Sequence, residues 1–186
     1  MEKTILNADH IRRAIVRISH QVVERHRDID QLVLAGILTR GAPLARRISD
    51  HIGEIKGTNV PVIELDTRPY RDDIMGVERG QFISYPSIPI NDTKIVLIDD
   101  VLYTGRTARA ALDALIDIGR PLSIHLGVLV DRGHRQLPIR ADFVGKNIPT
   151  AHSEAIQVRL EETDLKDEVV LVGANMRTTH TVGDVA

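Results

Sequence analysis

Two adjacent carboxylates, Asp99 and Asp100, stand between an apolar segment and a short turn rich in hydroxyl groups. The apolar residues 95–98 predict a buried strand, and the turn at 103–107 leads directly into a predicted helix. Backbone N–H groups and hydroxyls at a helix N-terminus bind phosphate groups. Because the carboxylates would repel a phosphate, we expect them to accept hydrogen bonds from hydroxyls beside it. A sugar with vicinal hydroxyls and a 5′-phosphate meets both requirements.

Alternative explanations of this segment differ in how much of it they cover. A solvated strand end explains Asp99 and Asp100 alone as well as a ligand site does, whereas the whole run over 95–107 favours a ligand site. The run has neither the Gly-x-x-x-x-Gly-Lys spacing of nucleoside triphosphatase loops nor the Gly-x-Gly-x-x-Gly spacing of dinucleotide folds.

Regular elements must position these side chains. The apolar pattern predicts strands over 31–37, 60–65, 94–99 and 124–130, and helices over 9–27, from Pro43 onwards, and over 107–118. Such alternation predicts an α/β fold, a twisted and mostly parallel sheet flanked by helices. Ligands bind at the carboxyl ends of the strands in these sheets, where Asp99 and Asp100 are expected.

Two regions have a less regular pattern. Residues 66–92 predict a long loop or an irregular hairpin, which is either an active-site lid or a surface excursion. Short apolar segments in the C-terminal third, at 142–144, 155–160 and 168–173, predict a small β subdomain. No interdomain linker is visible, so we expect a single domain over 1–186.

The composition excludes several classes of site. The chain has 186 residues, a formal net charge of −2 and no cysteine, which excludes disulfides, zinc–thiolate sites, iron–sulfur clusters and cysteine nucleophiles. No metal site made by protein ligands alone is visible. The net charge argues against a protein that coats nucleic acid over its whole surface, although a local basic face is compatible with it. The sequence has neither a membrane-spanning apolar run nor a signal pattern, so we expect a cytoplasmic location and no membrane partner.

The run over 95–107 resembles the phosphoribosyl pyrophosphate (PRPP) signature of type I phosphoribosyltransferases. The resemblance implies that Asp99 and Asp100 hold the ribose hydroxyls, that 103–107 wrap the 5′-phosphate and that 39–41 form the pyrophosphate loop. Arg40 is then a candidate clamp on the leaving group, because a guanidinium matches paired phosphate oxygens. The alternative for Arg40 is a surface arginine in a turn. It also implies Mg²⁺, bound with PRPP or pyrophosphate. The implied PRPP- and nucleotide-binding residues are Thr39, Arg40, Gly41, Asp99, Asp100, Val101, Leu102, Tyr103, Thr104, Gly105, Arg106, Thr107, Arg132 and Val144.

Three separated segments narrow the resemblance. Residues 131–150, Tyr70-Arg71-Asp72-Asp73 and the helix start at 11–14 are similar to the PyrR family, regulators of pyrimidine operon attenuation with uracil phosphoribosyltransferase activity. That similarity implies a hood contributed mainly by about 131–175 and the reaction of uracil with PRPP to give UMP and pyrophosphate. The implied catalytic residues are Arg40, Asp99, Asp100 and Arg71. Arg132 and the backbone near 144–148 would frame the base.

The resemblance also implies an RNA partner, an mRNA leader hairpin, with UMP as effector. The expected RNA-binding residues are Arg13, Arg17, His20, His134, Arg135, Arg140 and Lys146. Their helical members alone are explained better by a solvated face, and the resemblance favours RNA. A homodimer or higher homo-oligomer would bring two basic faces together. The runner-up function is a nucleobase phosphoribosyltransferase of salvage, for purines or another base, without an RNA role.

Two departures from the family pattern affect the ends of these motifs. Pro69 lies within Asp66-Thr67-Arg68-Pro69, where a more apolar strand end is expected, so the base of the loop is expected to differ. The tail after Asn175 is extra sequence. Neither departure touches the PRPP run.

Overall fold

A computed structural model describes residues 2–72 and 88–173 of the chain. The strands are β1 (Glu2–Asn7), β2 (Leu32–Ile37), β3 (Val62–Leu65), β4 (Lys94–Leu102), β5 (Ser123–Asp131), β6 (Phe143–Asn147), β7 (Ala155–Arg159) and β8 (Glu168–Val172). The helices are α1 (Ala8–Arg25), α2 (Gly41–Lys56), α3 (Arg106–Ile118) and α4 (Glu161–Asp164), with a 3-10 helix at Arg68–Tyr70.

Five parallel strands in the order β3-β2-β4-β5-β6 form the main sheet. Alternate residues of its central strands face opposite layers, as the pleat requires. On β4, Val96 and Ile98 pack with α1 and α2, while Ile95 and Leu97 pack with α3. Both faces are therefore covered, which explains why the central strands are apolar throughout. The predicted parallel sheet flanked by helices is confirmed.

A second sheet, antiparallel with the order β1-β8-β7, forms the hood together with α4. Strand β1 continues without a linker into α1, and its last residue, Asn7, caps that helix by accepting a hydrogen bond from the His10 N–H at 3.0 Å. The hood is thus joined directly to α1, the helix that carries the expected RNA-binding residues Arg13, Arg17 and His20.

The sequence misplaced three elements. The apolar segment at 142–144 becomes β6 and pairs with β5 at the edge of the main sheet, so the hood takes only part of 131–175 and gains the unpredicted β1. Short apolar segments do not reveal which sheet they join, and that ambiguity caused the error. Helix α2 begins at Gly41 and not at Pro43, because a proline is also tolerated elsewhere in the first helical turn. Strand β4 extends through the acidic pair to Leu102.

Most of the expected loop at 66–92 lies outside the described residues, as do Asp73 and the tail after Asn175. Within the described part, Arg68–Tyr70 forms the 3-10 helix, whose Tyr70 hydroxyl donates to Asp117 on α3 at 2.8 Å. In the parts of the chain that the structure describes, no helix is long and apolar enough to cross a membrane.

Candidate active site

The acidic pair lies near the carboxyl end of β4, between β2 and β5. Asp99 is buried and Asp100 is partly exposed. Each carboxylate accepts a neighbouring backbone N–H, Asp99 from Asp100 at 2.9 Å and Asp100 from Val101 at 2.8 Å. Burial, and then the charge of Asp100, raise the pKa of Asp99 well above its usual value, and burial also raises the pKa of Asp100. A ligand that brings hydroxyl donors or positive charge relieves this unfavourable burial.

The turn after the pair offers unused donors at the start of α3. Gly105 precedes the helix at φ 92°, a left-handed conformation that favours glycine. The Thr104 carbonyl is fixed by hydrogen bonds from the backbone N–H groups of Gln136 and Leu137 at 3.0 and 3.2 Å. Among the described residues, the backbone N–H groups of 103–105 and Thr107 find no acceptor in the protein. These donors can bind a phosphate.

The Arg40 loop lies against the strand that carries the acids. A Cβ at Gly41 would stand 2.3 Å from the Ile98 carbonyl oxygen, so only glycine permits this approach. Thr39 is exposed and follows a cis peptide bond. The Arg40 guanidinium donates through Nε and Nη2 to the two carboxylate oxygens of Asp164, at 3.1 and 2.7 Å. Hydrogen bonds to Asp164 raise the pKa of Arg40, and the charge of Asp100 contributes to the same shift.

Buried Arg132 shapes the other side of the turn. Its guanidinium carbon lies 4.0 Å from the centre of the Tyr103 ring. The same side chain donates to the Thr150 hydroxyl at 3.0 Å and to the Glu154 carbonyl at 2.9 Å. Its Nε and Nη2 donors are thus engaged by the protein, which ties the Tyr103 ring to the 150–154 loop. Val144 is half-buried on β6, two strands away from β4.

The remaining residues expected to contact a ligand lie just after the 3-10 helix and at the start of α3. The charge of half-buried Arg71 lowers the pKa of Asp99, against the larger effect of burial, so the two side chains interact. Arg106 donates to Asp72 at 2.5 Å and to Gln136 at 3.1 Å. Asp72 therefore holds the start of α3, a role that the sequence did not assign to it.

The expected RNA-binding residues fall into two groups. Arg13, Arg17, His20, Arg140 and Lys146 are exposed. Arg17 donates to the Gly145 carbonyl on β6, which brings α1 beside Lys146. A recess of about 240 Å³ lies there, lined by the basic side chains of His10, Arg13, Arg17 and Lys146.

The second group lies at the nucleotide turn and bonds to the protein itself. Arg135 forms an ion pair with Asp131 and donates to the Tyr103 and Ile139 carbonyls at 2.9 and 3.1 Å. The His134 Nε2 lies 2.5 Å from the Thr150 carbonyl oxygen. Both side chains are therefore held by contacts within the protein, and their expected role in RNA binding stays a prediction.

The acidic pair is also the place where a divalent cation would bind. Carboxylates with raised pKa values gain from a nearby cation, and hard cations prefer oxygen ligands. Among the residues that the structure describes, no group of three or more His, Cys, Asp or Glu side chains could hold a metal ion. A cation held by Asp99 and Asp100 would therefore need further oxygen ligands from a bound substrate or from water.

Comparisons with known proteins identify the family of this chain. The family model described as phosphoribosyl transferase domain matches residues 1–163. A protein of Chloroflexus aurantiacus named bifunctional protein PyrR is 55% identical over 173 residues, 92% of this chain and 95% of the relative. A protein of the same name from Thermus thermophilus is 56% identical over 169 residues, 90% and 93% of the two chains. This chain belongs to the PyrR family of phosphoribosyl transferases.

The fold of this family member extends to distant structures. A hypoxanthine phosphoribosyltransferase from Staphylococcus aureus superposes with a TM-score of 0.70 and covers 92% of each chain at 20% identity. At that identity the likeness concerns the fold alone. Sequence reasoning missed Asp164, because the short helix that carries it matches no motif and lies 124 residues from its partner Arg40.

Proposed function

We propose that this chain regulates pyrimidine genes by binding an mRNA leader hairpin in response to UMP, and that it converts uracil and PRPP to UMP and pyrophosphate. The observation that carries the nucleotide site is the acidic pair at the end of β4, followed by a turn whose N–H groups have no acceptor among the described residues. Its acids suit ribose hydroxyls and its turn suits the 5′-phosphate. The PyrR relatives support uracil as the base.

In the proposed reaction, a bond forms between uracil N1 and ribose C1 while the bond from C1 to the pyrophosphate oxygen breaks. The N1 proton is released. Asp99, Asp100 and the turn fix the ribose 5-phosphate, so that C1 is held in line between the base and the leaving group. Arg40 stabilises the charge that develops on the pyrophosphate, and Arg71 assists from its position just after the 3-10 helix. Mg²⁺, bound by Asp99 and Asp100 together with PRPP, would neutralise part of that charge.

The uracil-dependent formation of UMP tests the enzymatic part. Purified protein with PRPP and Mg²⁺ is expected to form UMP from uracil and to form no nucleotide from hypoxanthine or guanine. If a purine is the better substrate, the salvage enzyme is correct and the proposed base is wrong. If no base is consumed by folded protein, the enzymatic proposal fails.

The RNA part rests on the exposed basic face formed by α1 and β6. Arg13, Arg17, His20 and Lys146 contribute side chains to it, and Arg140 lies just before β6. Basic side chains release counterions from RNA, so the affinity is expected to fall with rising salt. In a homodimer two such faces would act together. UMP would strengthen binding if its site is better formed in the RNA-binding state.

Filter binding to a pyrimidine-operon leader hairpin, with and without UMP and across a salt series, tests this part. UMP is expected to tighten binding, and Lys146→Ala is expected to weaken it and to reduce the salt slope by about one. Arg120→Ala removes an exposed arginine outside this face, just before β5, and is expected to change neither quantity. Equal binding of a scrambled hairpin would show that the face has no regulatory specificity.

A further inference from the structure

The Arg40–Asp164 ion pair joins the pyrophosphate loop to the hood. Both carboxylate oxygens of Asp164 accept from the guanidinium, so the contact is bidentate. Asp164 is itself fixed, because it also accepts the Leu160 backbone N–H at 3.0 Å and the Thr163 hydroxyl at 2.6 Å. Hydrogen bonds from Arg40 and Thr163 hold the pKa of Asp164 well below its usual range, and the carboxylate is charged at neutral pH.

This contact engages the Nε and Nη2 edge of the guanidinium, one of the edges at which paired phosphate oxygens bind. A carboxylate there neutralises the arginine and repels an arriving pyrophosphate. The side chains of Arg40 and Asp164 keep 36% and 21% of their surface exposed, so an anion can reach the pair. The contact therefore opposes the binding of pyrophosphate to Arg40, although both side chains remain accessible from solvent.

We propose that Asp164 is a specificity-determining residue that competes with pyrophosphate for Arg40. It weakens the binding of the two ligands that carry a pyrophosphate group, PRPP and pyrophosphate itself. It leaves the binding of UMP unaffected, because UMP has no group that reaches Arg40. The inference rests on the proposed pyrophosphate role of Arg40. Because Asp164 weakens the binding of PRPP and not that of UMP, UMP competes with PRPP for the site more effectively than it would without Asp164.

Neighbouring contacts show how to remove this competition without undocking the hood. Arg47, on the same helix α2, pairs with Glu162 at 2.7 Å and with Asp167 at 2.7 Å. These pairs hold the hood on α2 when Asp164 loses its charge. Glu162→Gln provides the matched control, because it removes a carboxylate of the same short helix α4 whose hydrogen bonds come from Arg47.

The test compares product inhibition in the wild-type protein, Asp164→Asn, Asp164→Glu and Glu162→Gln. The measured quantities are the KM for PRPP and the inhibition constants for sodium pyrophosphate and UMP. Asp164→Asn is expected to lower the KM for PRPP and the pyrophosphate constant by about threefold to tenfold, the size of one partly exposed ion pair. The UMP constant is expected to stay within about twofold of wild type, as are all three quantities in Glu162→Gln.

The contrary outcomes distinguish a failure of the role given to Asp164 from a failure of the role given to Arg40. If Asp164→Asn leaves pyrophosphate inhibition unchanged or weakens it, Asp164 does not compete, and the inference is overturned. Asp164→Glu retains the charge and is expected to stay closer to wild type than Asp164→Asn. Arg40→Gln tests the underlying role separately, because unchanged pyrophosphate inhibition in that variant would show that Arg40 does not bind pyrophosphate. Thermal unfolding checks that each variant folds, and Asp164→Ser replaces any Asp164→Asn protein that does not.

Discussion

The guanidinium of Arg132 stacks on the ring of Tyr103, with 4.0 Å between the guanidinium carbon and the ring centre. This contact joins the turn over 103–107 to the loop over 150–154, whose hydroxyl and carbonyl oxygens accept hydrogen bonds from the same guanidinium. A cation above an aromatic face is attracted to it, and burial strengthens that attraction. The position of Tyr103, and hence of the turn, therefore depends on a residue 29 positions away that need not touch the ligand.

Replacing Arg132 by methionine tests this dependence. Arg132→Met keeps an unbranched side chain and removes the guanidinium donors, so we expect a loss of about 1–3 kcal/mol in the free energy of unfolding and a KM for PRPP raised about tenfold. Tyr103→Phe keeps the aromatic ring and is expected to stay within about twofold of wild type in KM. Steady-state kinetics and urea unfolding measure the two effects. A larger rise in KM for Tyr103→Phe than for Arg132→Met would contradict the stacking argument.

Asp100→Asn separates the two proposed activities. The amide oxygen still accepts the Val101 N–H, so the fold is expected to persist, while the lost charge lowers kcat/KM for UMP formation by about 10²–10³. RNA binding without nucleotide is expected to remain, because the basic face on α1 and β6 does not include β4. Asp30→Asn makes the same chemical change before β2, away from the acidic pair, and provides the control. Loss of both activities in a folded Asp100→Asn protein would contradict the separation of the nucleotide site from the RNA-binding face.

Some of this arrangement was visible in the sequence for a physical reason. The spacing of apolar residues along the chain reflects which side chains are buried. It therefore predicted the central strands, α1 and α3 to within a few residues. The acids and the turn stand next to each other in the chain, so a motif could place Asp99, Asp100 and Gly105 in one site. Asn7, the cap of α1, is also a local feature, because asparagine is a residue type that favours helix N-termini and it stands directly before the helix in the chain.

Other features depend on contacts between distant segments, which local patterns do not encode. Strand β1 has only a short alternating pattern, and it becomes a strand by pairing with β8. The contact of Arg135 with the Tyr103 carbonyl is of this kind, because the two residues lie in separate segments of the chain. The partner of Arg40 could not be found either, because Asp164 lies in the hood and local spacing does not relate the two.

Arg47 is expected to be the main electrostatic contact between α2 and the hood. Its guanidinium makes four hydrogen bonds, two to Glu162 and two to Asp167. Arg47→Ala would leave Asp167, with 17% of its side chain exposed, without this partner. We expect a loss of about 1–2 kcal/mol in the free energy of unfolding, less than for a fully buried pair because solvent screens the charges.

Arg46→Ala is the matched control for this prediction. Arg46 is the neighbouring residue on α2 and pairs with Glu64 at the surface, where both side chains are about half exposed. Its loss is expected to change the free energy of unfolding by less than about 0.5 kcal/mol. Chemical unfolding in urea compares the two variants. Equal losses would show that the hood contact adds nothing beyond an ordinary surface pair.

The stability of the fold is expected to fall on acidification because buried His26 packs against half-buried His125. His26 and His125 stand with their rings 4.9 Å apart, and neither His26 Nε2 nor His125 Nδ1 has a hydrogen-bond partner among the described residues. Burial, together with the charges of His125, Lys94 and Arg25, lowers the pKa of His26 from 6.5 to about 4, although Asp142 acts in the opposite direction. Burial and Arg25 also lower the pKa of His125. The folded state therefore favours the neutral rings.

Between pH 6.5 and about 4, the unfolded chain binds more protons at His26 than the folded chain does. The contribution of His26 to stability is complete above pH 6.5 and is lost progressively as the pH falls towards 4. Urea unfolding at several pH values is expected to show this slope, and His26→Leu is expected to reduce it. His20→Gln, at an exposed position on the same helix, is expected to leave the slope unchanged. An undiminished slope in His26→Leu would assign the acid sensitivity to the carboxylates instead.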